Sequence, residues 1–147
     1  MFHHNPHRAN TEPLDMVVDA ETLKHWLADY DTDNIVIGVV ASHSSLQILH
    51  GARMEGFKTL GIAVGENRRR FYKAFPGAEP DEWLMLENYR EMLDHAEWFR
   101  ERNVVIIPHG SLVEYLGSSN FRALEVPTFG NRGILHWESS RARQREW

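Results

Sequence analysis

The sequence predicts an α/β fold of three layers with a mainly parallel sheet, and three observations carry that prediction. Two continuous β-branched runs, Asn34-Ile35-Val36-Ile37-Gly38-Val39-Val40 and Val104-Val105-Ile106-Ile107-Pro108, have the composition of strands covered on both faces. Each run passes into a short polar loop and then into apolar residues at helical spacing. The loops, Ser42-His43-Ser44-Ser45 and His109-Gly110-Ser111, repeat one grammar. In a parallel sheet both would lie at the carboxyl edge, where open α/β sheets bind their ligands.

Residues 1–18 are polar and broken by Pro6 and Pro13, the composition of a flexible tail. Its His3, His4 and His7 are too loosely organised for a metal site, which needs three or four convergent ligands and a second shell. Asp19 is placed to cap a first helix whose Leu23, Trp26, Leu27 and Tyr30 share a face, expected to dock on the sheet. The first strand follows, then a helix through Leu46, Leu49 and Ala52 that closes at Gly56.

A second strand is expected over Thr59-Leu60-Gly61-Ile62-Ala63-Val64, completing a βαβ unit. The next segment, Gly65-Glu66-Asn67-Arg68-Arg69-Arg70, reads as a loop at the same carboxyl edge. Its three adjacent arginines suit bidentate binding of a phosphate, and equally suit a solvated turn. Ala78-Glu79-Pro80 reads as a turn into a short strand from Glu82 to Leu86, at the sheet edge. Asn88 is placed to cap one helix carrying Met92, Ala96 and Phe99 on its inner side, with Tyr89 extending that face and Trp98 packed or at a rim. After the strand from Val104 comes a short helix through Leu112, Tyr115 and Leu116 to Gly117.

Composition narrows the function classes. With 42% hydrophobic and 25% charged residues in 147, the chain is long enough for one domain with a real core. A net charge of -5 argues against nucleic acid as partner. The absence of cysteine excludes disulfide scaffolds, thiolate zinc sites and thiol nucleophiles. No apolar run approaches the roughly 20 residues of a membrane helix, and the amino terminus lacks a signal-peptide core. A cytoplasmic protein is the expectation.

Histidine and serine at strand ends suit anion binding. A helix amino terminus offers unpaired N–H groups and partial positive charge. Ser42, Ser44, Ser45 and Ser111 are expected to add hydroxyl donors, Gly110 to admit a close backbone approach, and each imidazole to donate to a phosphate, ribose or amide oxygen. Each loop taken alone also reads as an ordinary helix cap. Other chemistries fit less well. There is no phosphate-loop or dinucleotide fingerprint, neither serine sits in a nucleophile elbow, and His43 with His109 lacks a carboxylate to complete a metal site.

A third segment, Val126-Pro127-Thr128-Phe129-Gly130-Asn131-Arg132, continues through Gly133-Ile134-Leu135-His136 to Trp137-Glu138-Ser139. With Ser42-His43-Ser44-Ser45-Leu46-Gln47-Ile48-Leu49 and Pro108-His109-Gly110-Ser111, it makes the chain resemble the amino-terminal domain of the archaeal formate-dependent 5-formaminoimidazole-4-carboxamide ribonucleotide synthetases, of the ATP-grasp superfamily. The resemblance spans Asn34 to Trp147, and three ordered motifs are far more specific than one.

That resemblance implies a Rossmann-like pre-ATP-grasp domain over residues 19–147 and a ligase of purine (IMP) biosynthesis. ATP, formate and aminoimidazole-carboxamide ribonucleotide (AICAR) would give the formylated ribonucleotide (FAICAR), ADP and phosphate, with formate activated as formyl phosphate. It implies His43 and Ser111 as substrate contacts; Ser42, Ser44, Gly110, Arg68, Arg69 and Arg70 are further binding candidates from the chemistry of their loops, and no catalytic or metal residue is assigned in this segment. ATP and Mg2+ would sit mainly in an ATP-grasp domain, in cis or in trans, and a homo-oligomer is compatible. Asn131, Arg132 and Glu138 would belong to the connection toward that domain, or serve structural roles in turning and pairing the chain.

Two departures stand out. Ala41 occupies a position where the family often has glycine, so a methyl would crowd a closely approaching phosphate. The sequence also ends at Arg145-Glu146-Trp147 inside what reads as a helix, before any ATP-grasp domain, so this segment alone is expected to be inactive. A nucleotide-binding module without catalysis and one subunit of a split synthetase are the alternative readings.

Overall fold

The computed structural model describes residues 18–130 and Arg132. Four strands form one sheet: β1 (Val36–Val40), β2 (Lys58–Val64), β3 (Glu82–Leu86) and β4 (Val104–Ile106), in the order β3-β2-β1-β4. Every pairing is parallel. In register, Val36 lies between Lys58 and Val104, and Gly38 between Leu60 and Ile106. A parallel bridge from Ile106 to Thr128 adds a fifth lane one residue wide.

The β-branched runs became β1 and β4, with apolar clusters on both faces of the sheet. Val39 and Ala63 point into one apolar cluster with Leu49, Tyr72 and Ala78; Val40, Leu60, Ile62, Val104 and Ile106 point into the other with Met92, Phe99, Leu112 and Phe121. Successive strand residues face opposite sides, so one alternating strand feeds two cores. The first side carries α2 (Ser45–Met54) and α3 (Glu66–Tyr72). The other carries α4 (Ala96–Glu101), α5 (Gly110–Leu116) and α6 (Ser118–Ala123). The three-layer α/β fold with a parallel sheet is thus the one the sequence predicts.

Glycines in the central strands make room for neighbours. A Cβ on Gly61 would stand 2.7 Å from both Pro80 Cγ and Trp83 Cζ3. Rigid rings occupy that space, so no side chain fits there.

Helix α1 (Ala20–Ala28) starts as expected, with Asp19 accepting from Thr22 N–H at 2.8 Å. It docks more lightly than expected, since none of its own residues is buried and Leu27 is exposed. Its anchor is Tyr30, just beyond its end, whose hydroxyl donates to the Val104 carbonyl at 2.7 Å. Two further elements differ from the sequence reading. Glu66–Tyr72 is a helix, not a loop: Gly65, at φ 84°, ends β2 and the chain turns at once into α3, which buries Tyr72 completely. The helix expected from Asn88 is two pieces, a 3-10 turn over Tyr89–Met92 and α4, and Asn88 makes no side-chain cap. Met92, Ala96 and Phe99 still face inward, because burial periodicity survives an irregular turn.

Candidate functional site

After β1 the chain works outward to β2 and β3, then crosses back to add β4 on the far side of β1. The reversal falls between β1 and β4, and a crevice opens at the carboxyl ends of strands at such a point. The loops that leave those two strands are Ser42–Ser45 and His109–Ser111. The fold therefore brings together the two segments singled out in the sequence.

The first loop is fastened from beneath. Ser42 N–H donates toward Ser45 Oγ at 2.7 Å and toward the Tyr72 hydroxyl at 3.1 Å, while both hydroxyl oxygens lie 2.7 Å from the Ser42 carbonyl. The Ser45 and Tyr72 hydroxyls also touch each other. Ser45 is fully buried and spends its hydroxyl inside the loop, so it is not the outward donor the sequence suggested. Burial raises the pKa of Tyr72, more than its bonds to Ser45 and Ser42 lower it.

Ser42 itself is 3% exposed, and its Oγ is buried without a partner. His43 and Ser44 face outward. The His43 ring stands edge-on to Phe71 with centroids 5.2 Å apart. Ser44 holds the cap position of α2 without a side-chain cap bond, so its hydroxyl is uncommitted there.

The second loop is tied to the first strand by one side chain. His109 Nε2 lies 3.0 Å from the Val40 carbonyl oxygen. A carbonyl only accepts, so Nε2 carries the hydrogen and the neutral ring presents Nδ1 as a lone pair. The expectation that this imidazole donates outward is thereby corrected for Nε2. Burial lowers the His109 pKa, outweighing the Val40 bond that raises it. Gly110 is exposed, and a Cβ there would meet nothing within 4 Å. Ser111 sits half-buried in the first turn of α5.

The three arginines do not act as a unit, because a helix turns successive side chains by about 100°. Arg68 Nη2 donates to the Tyr115 hydroxyl at 3.0 Å, with the guanidinium 5.4 Å from that ring's centroid. Arg69 pairs loosely with Glu66 at 3.9 Å, and Arg70 is exposed. Only Arg68 reaches toward α5. Beside it, Tyr115 stacks on Tyr89 at 5.0 Å, and the two rings help wall a cavity of about 760 Å3 over the carboxyl ends of β2 and β3.

Sequence reasoning missed the part played by Tyr72, Tyr89 and Tyr115. In the sequence Tyr89 and Tyr115 read only as members of apolar faces, and the one signal is a phenol on each face where a plain aliphatic would pack. Arg132 proves structural: its guanidinium donates to the carbonyls of Phe121, Leu124 and Val126, closing the end of α6. Burial lowers its pKa to about 10. Asn131 and Glu138 lie outside the described residues.

Residues 37–147 match the family model described as a protein of unknown function, DUF1246. The chain belongs to that family. This DUF1246 chain is 53% identical over 131 residues to a protein of Methanosarcina mazei named 5-formaminoimidazole-4-carboxamide-1-(beta)-D-ribofuranosyl 5'-monophosphate synthetase 1. Proteins of Methanothrix thermoacetophila, 54% identical over 131 residues, and Archaeoglobus fulgidus, 44% over 123, are named as the corresponding synthetase. The alignments cover 89%, 89% and 82% of this chain but only 36%, 36% and 33% of the relatives. The chain spans about a third of the length of the relatives it matches. Among the described residues, no helix is long and apolar enough to cross a membrane.

Proposed function

We propose that this chain is the ribonucleotide-binding amino-terminal part of an ATP- and formate-dependent ligase that converts AICAR to FAICAR in purine biosynthesis, acting in the cytoplasm. The observation that carries the reading is the convergence of the Ser-His-Ser-Ser and His-Gly-Ser loops on the one switch point of the sheet. The names of relatives more than 50% identical over 89% of the chain support the choice of ligand.

In this reading His43 and Ser111 touch the substrate. His43 has an exposed ring steadied by Phe71, and Ser111 opens α5 beside Gly110, which leaves space for a ligand backbone or phosphate. Ser42 and Ser44 add hydroxyls, and Arg68 bounds the side nearest Tyr115, with Arg69 and Arg70 farther out. The chain would hold AICAR so that its amine meets activated formate. Positioning of this kind lowers a barrier by several kcal/mol. In this reading formate activation is the work of ATP and Mg2+ held by an ATP-grasp domain.

Calorimetric titration with AICAR tests the proposal. Saturable heat that His43→Ala and Ser111→Ala each reduce by tenfold or more is the expected result. No heat at high ligand concentration refutes the binding role. FAICAR formed only when an ATP-grasp polypeptide is added would support the division of labour, and turnover of ATP with formate by the isolated chain would overturn it.

A further inference from the structure

The His109 side chain ties β1 to the second loop by a hydrogen bond, and the tie fixes its chemistry. Nε2–H is committed to the Val40 carbonyl at 3.0 Å, so Nδ1 has only a lone pair to offer. That atom is buried and has no partner. His109 does not cap its own helix, so the lone pair is not spent on a backbone N–H of α5 either. The other buried side-chain atom lacking a partner among the described residues is Ser42 Oγ, in the loop that leaves the same strand two residues beyond Val40.

Buried polar atoms are almost always paired, and leaving one unmade costs about 1–3 kcal/mol. Among the described residues such atoms occur only on the loops that leave the adjacent strands β1 and β4, at the switch point. A phosphate or carboxylate oxygen has no hydrogen to give and would face the Nδ1 lone pair repulsively. A hydroxyl or an N–H would satisfy it.

Resting on the binding role proposed above, we infer that His109 is a specificity residue that accepts, through Nδ1, a hydrogen bond from a donor group of the bound ribonucleotide, an N–H of its base or an O–H of its ribose. The phosphate consequently lies away from His109, on the side of His43 and Ser44. Ser42 Oγ, whose hydroxyl can give or accept, is the second unpaired group at this edge. Discrimination follows from this arrangement. A ligand lacking the donor leaves a buried lone pair unmet, the situation in which binding sites reject analogues most strongly.

The test is nitrogen NMR of the histidine rings, with the full 147-residue chain and three probes: AICAR, ribose 5-phosphate and sulfate. The free protein should show His109 with a protonated Nε2 and a bare, pyridine-like Nδ1. AICAR should move the Nδ1 signal strongly, and sulfate, which holds only acceptors, should not. Movement with ribose 5-phosphate as well assigns the donor to a ribose hydroxyl; movement with AICAR alone assigns it to the base. His109→Gln, which retains an N–H near the Nε2 position and lacks the Nδ1 acceptor, should keep the wild-type melting temperature and bind AICAR about tenfold more weakly. If AICAR binds in a His43-dependent way while Nδ1 stays still and His109→Gln binds as wild type, the inference is overturned and the binding role stands. A sulfate-induced shift equal to that of AICAR also overturns it. If AICAR does not bind at all, the binding role itself fails, and this inference with it.

Discussion

At the amino edge of the sheet, polar side chains are consumed in mutual support. Tyr30 donates to the Val104 carbonyl at 2.7 Å, Asp31 N–H to Asn103 Oδ1 at 2.9 Å, and Thr59 N–H and hydroxyl both to Asp81 Oδ2 at 2.9 and 3.1 Å. At the carboxyl edge the loops are fastened through their backbones, by Tyr72, Ser45 and His109, while Ser42 Oγ and His109 Nδ1 are left unmet. At one edge these polar groups are paired within the chain, and at the other two of them are left for the proposed ligand. The difference separates residues that hold the domain together from those proposed to meet a ligand, although both groups include buried phenols and hydroxyls.

Tyr72→Phe should break this comparison most forcefully, because Tyr72 belongs to both categories. Removing its hydroxyl strips the Ser42 backbone of one support and should cost about 2 kcal/mol in urea unfolding, together with a loss of AICAR affinity. A stability loss with affinity intact would mean that the fastening does not shape the site.

Tyr30→Phe makes the matching change at the amino edge. It should cost about 1 kcal/mol and leave ligand binding untouched. Its ionisation supplies an independent check, since burial pushes the Tyr30 pKa up to about 12 from the model-peptide value of 10.0. The unfolded chain loses that proton first, so the contribution is fully present below about pH 10 and disappears as pH rises toward 12. Alkaline melting curves of the wild type and Tyr30→Phe should differ in that window.

His109 predicts a smaller effect of opposite sense. Its folded pKa lies below the ordinary 6.5, so the unfolded chain takes up the proton first as pH falls. The stability it contributes is complete above 6.5 and is lost as pH drops from there through the folded value. The acid slope of the melting temperature should therefore be shallower in His109→Gln than in the wild type; identical slopes would contradict the buried, neutral imidazole. Smallest of all is the stability change for Ser42→Ala, under about 0.5 kcal/mol, because the hydroxyl removed has no partner to lose. A larger loss would show that Ser42 Oγ is engaged in the free protein.

The strands, and the two loops that form the candidate site at their ends, were legible because both depend on local patterns. A run such as Val36–Val40 advertises burial on two faces, and the polar loop behind it advertises a strand end. What escaped was long-range. Tyr72 meets the Ser42 loop from 30 residues away, and nothing near either residue signals the meeting. Arg68 to Arg70 read as a loop because charge dominates that stretch, whereas Tyr72 at its end is what pulls it into a helix against the sheet. The segment after Asn88 misled for a different reason. Spacing of Met92, Ala96 and Phe99 reports which side is buried, not whether the backbone bonds run unbroken between them.

The ring of Trp83 fills the space that a side chain on Gly61 would need, and it stands edge-on to Tyr72 with centroids 5.3 Å apart. The indole is therefore mechanically coupled, through one phenol, to the backbone of the Ser42 loop. Its emission should change colour or intensity whenever that loop shifts, which gives the domain a built-in optical reporter for events at its crevice.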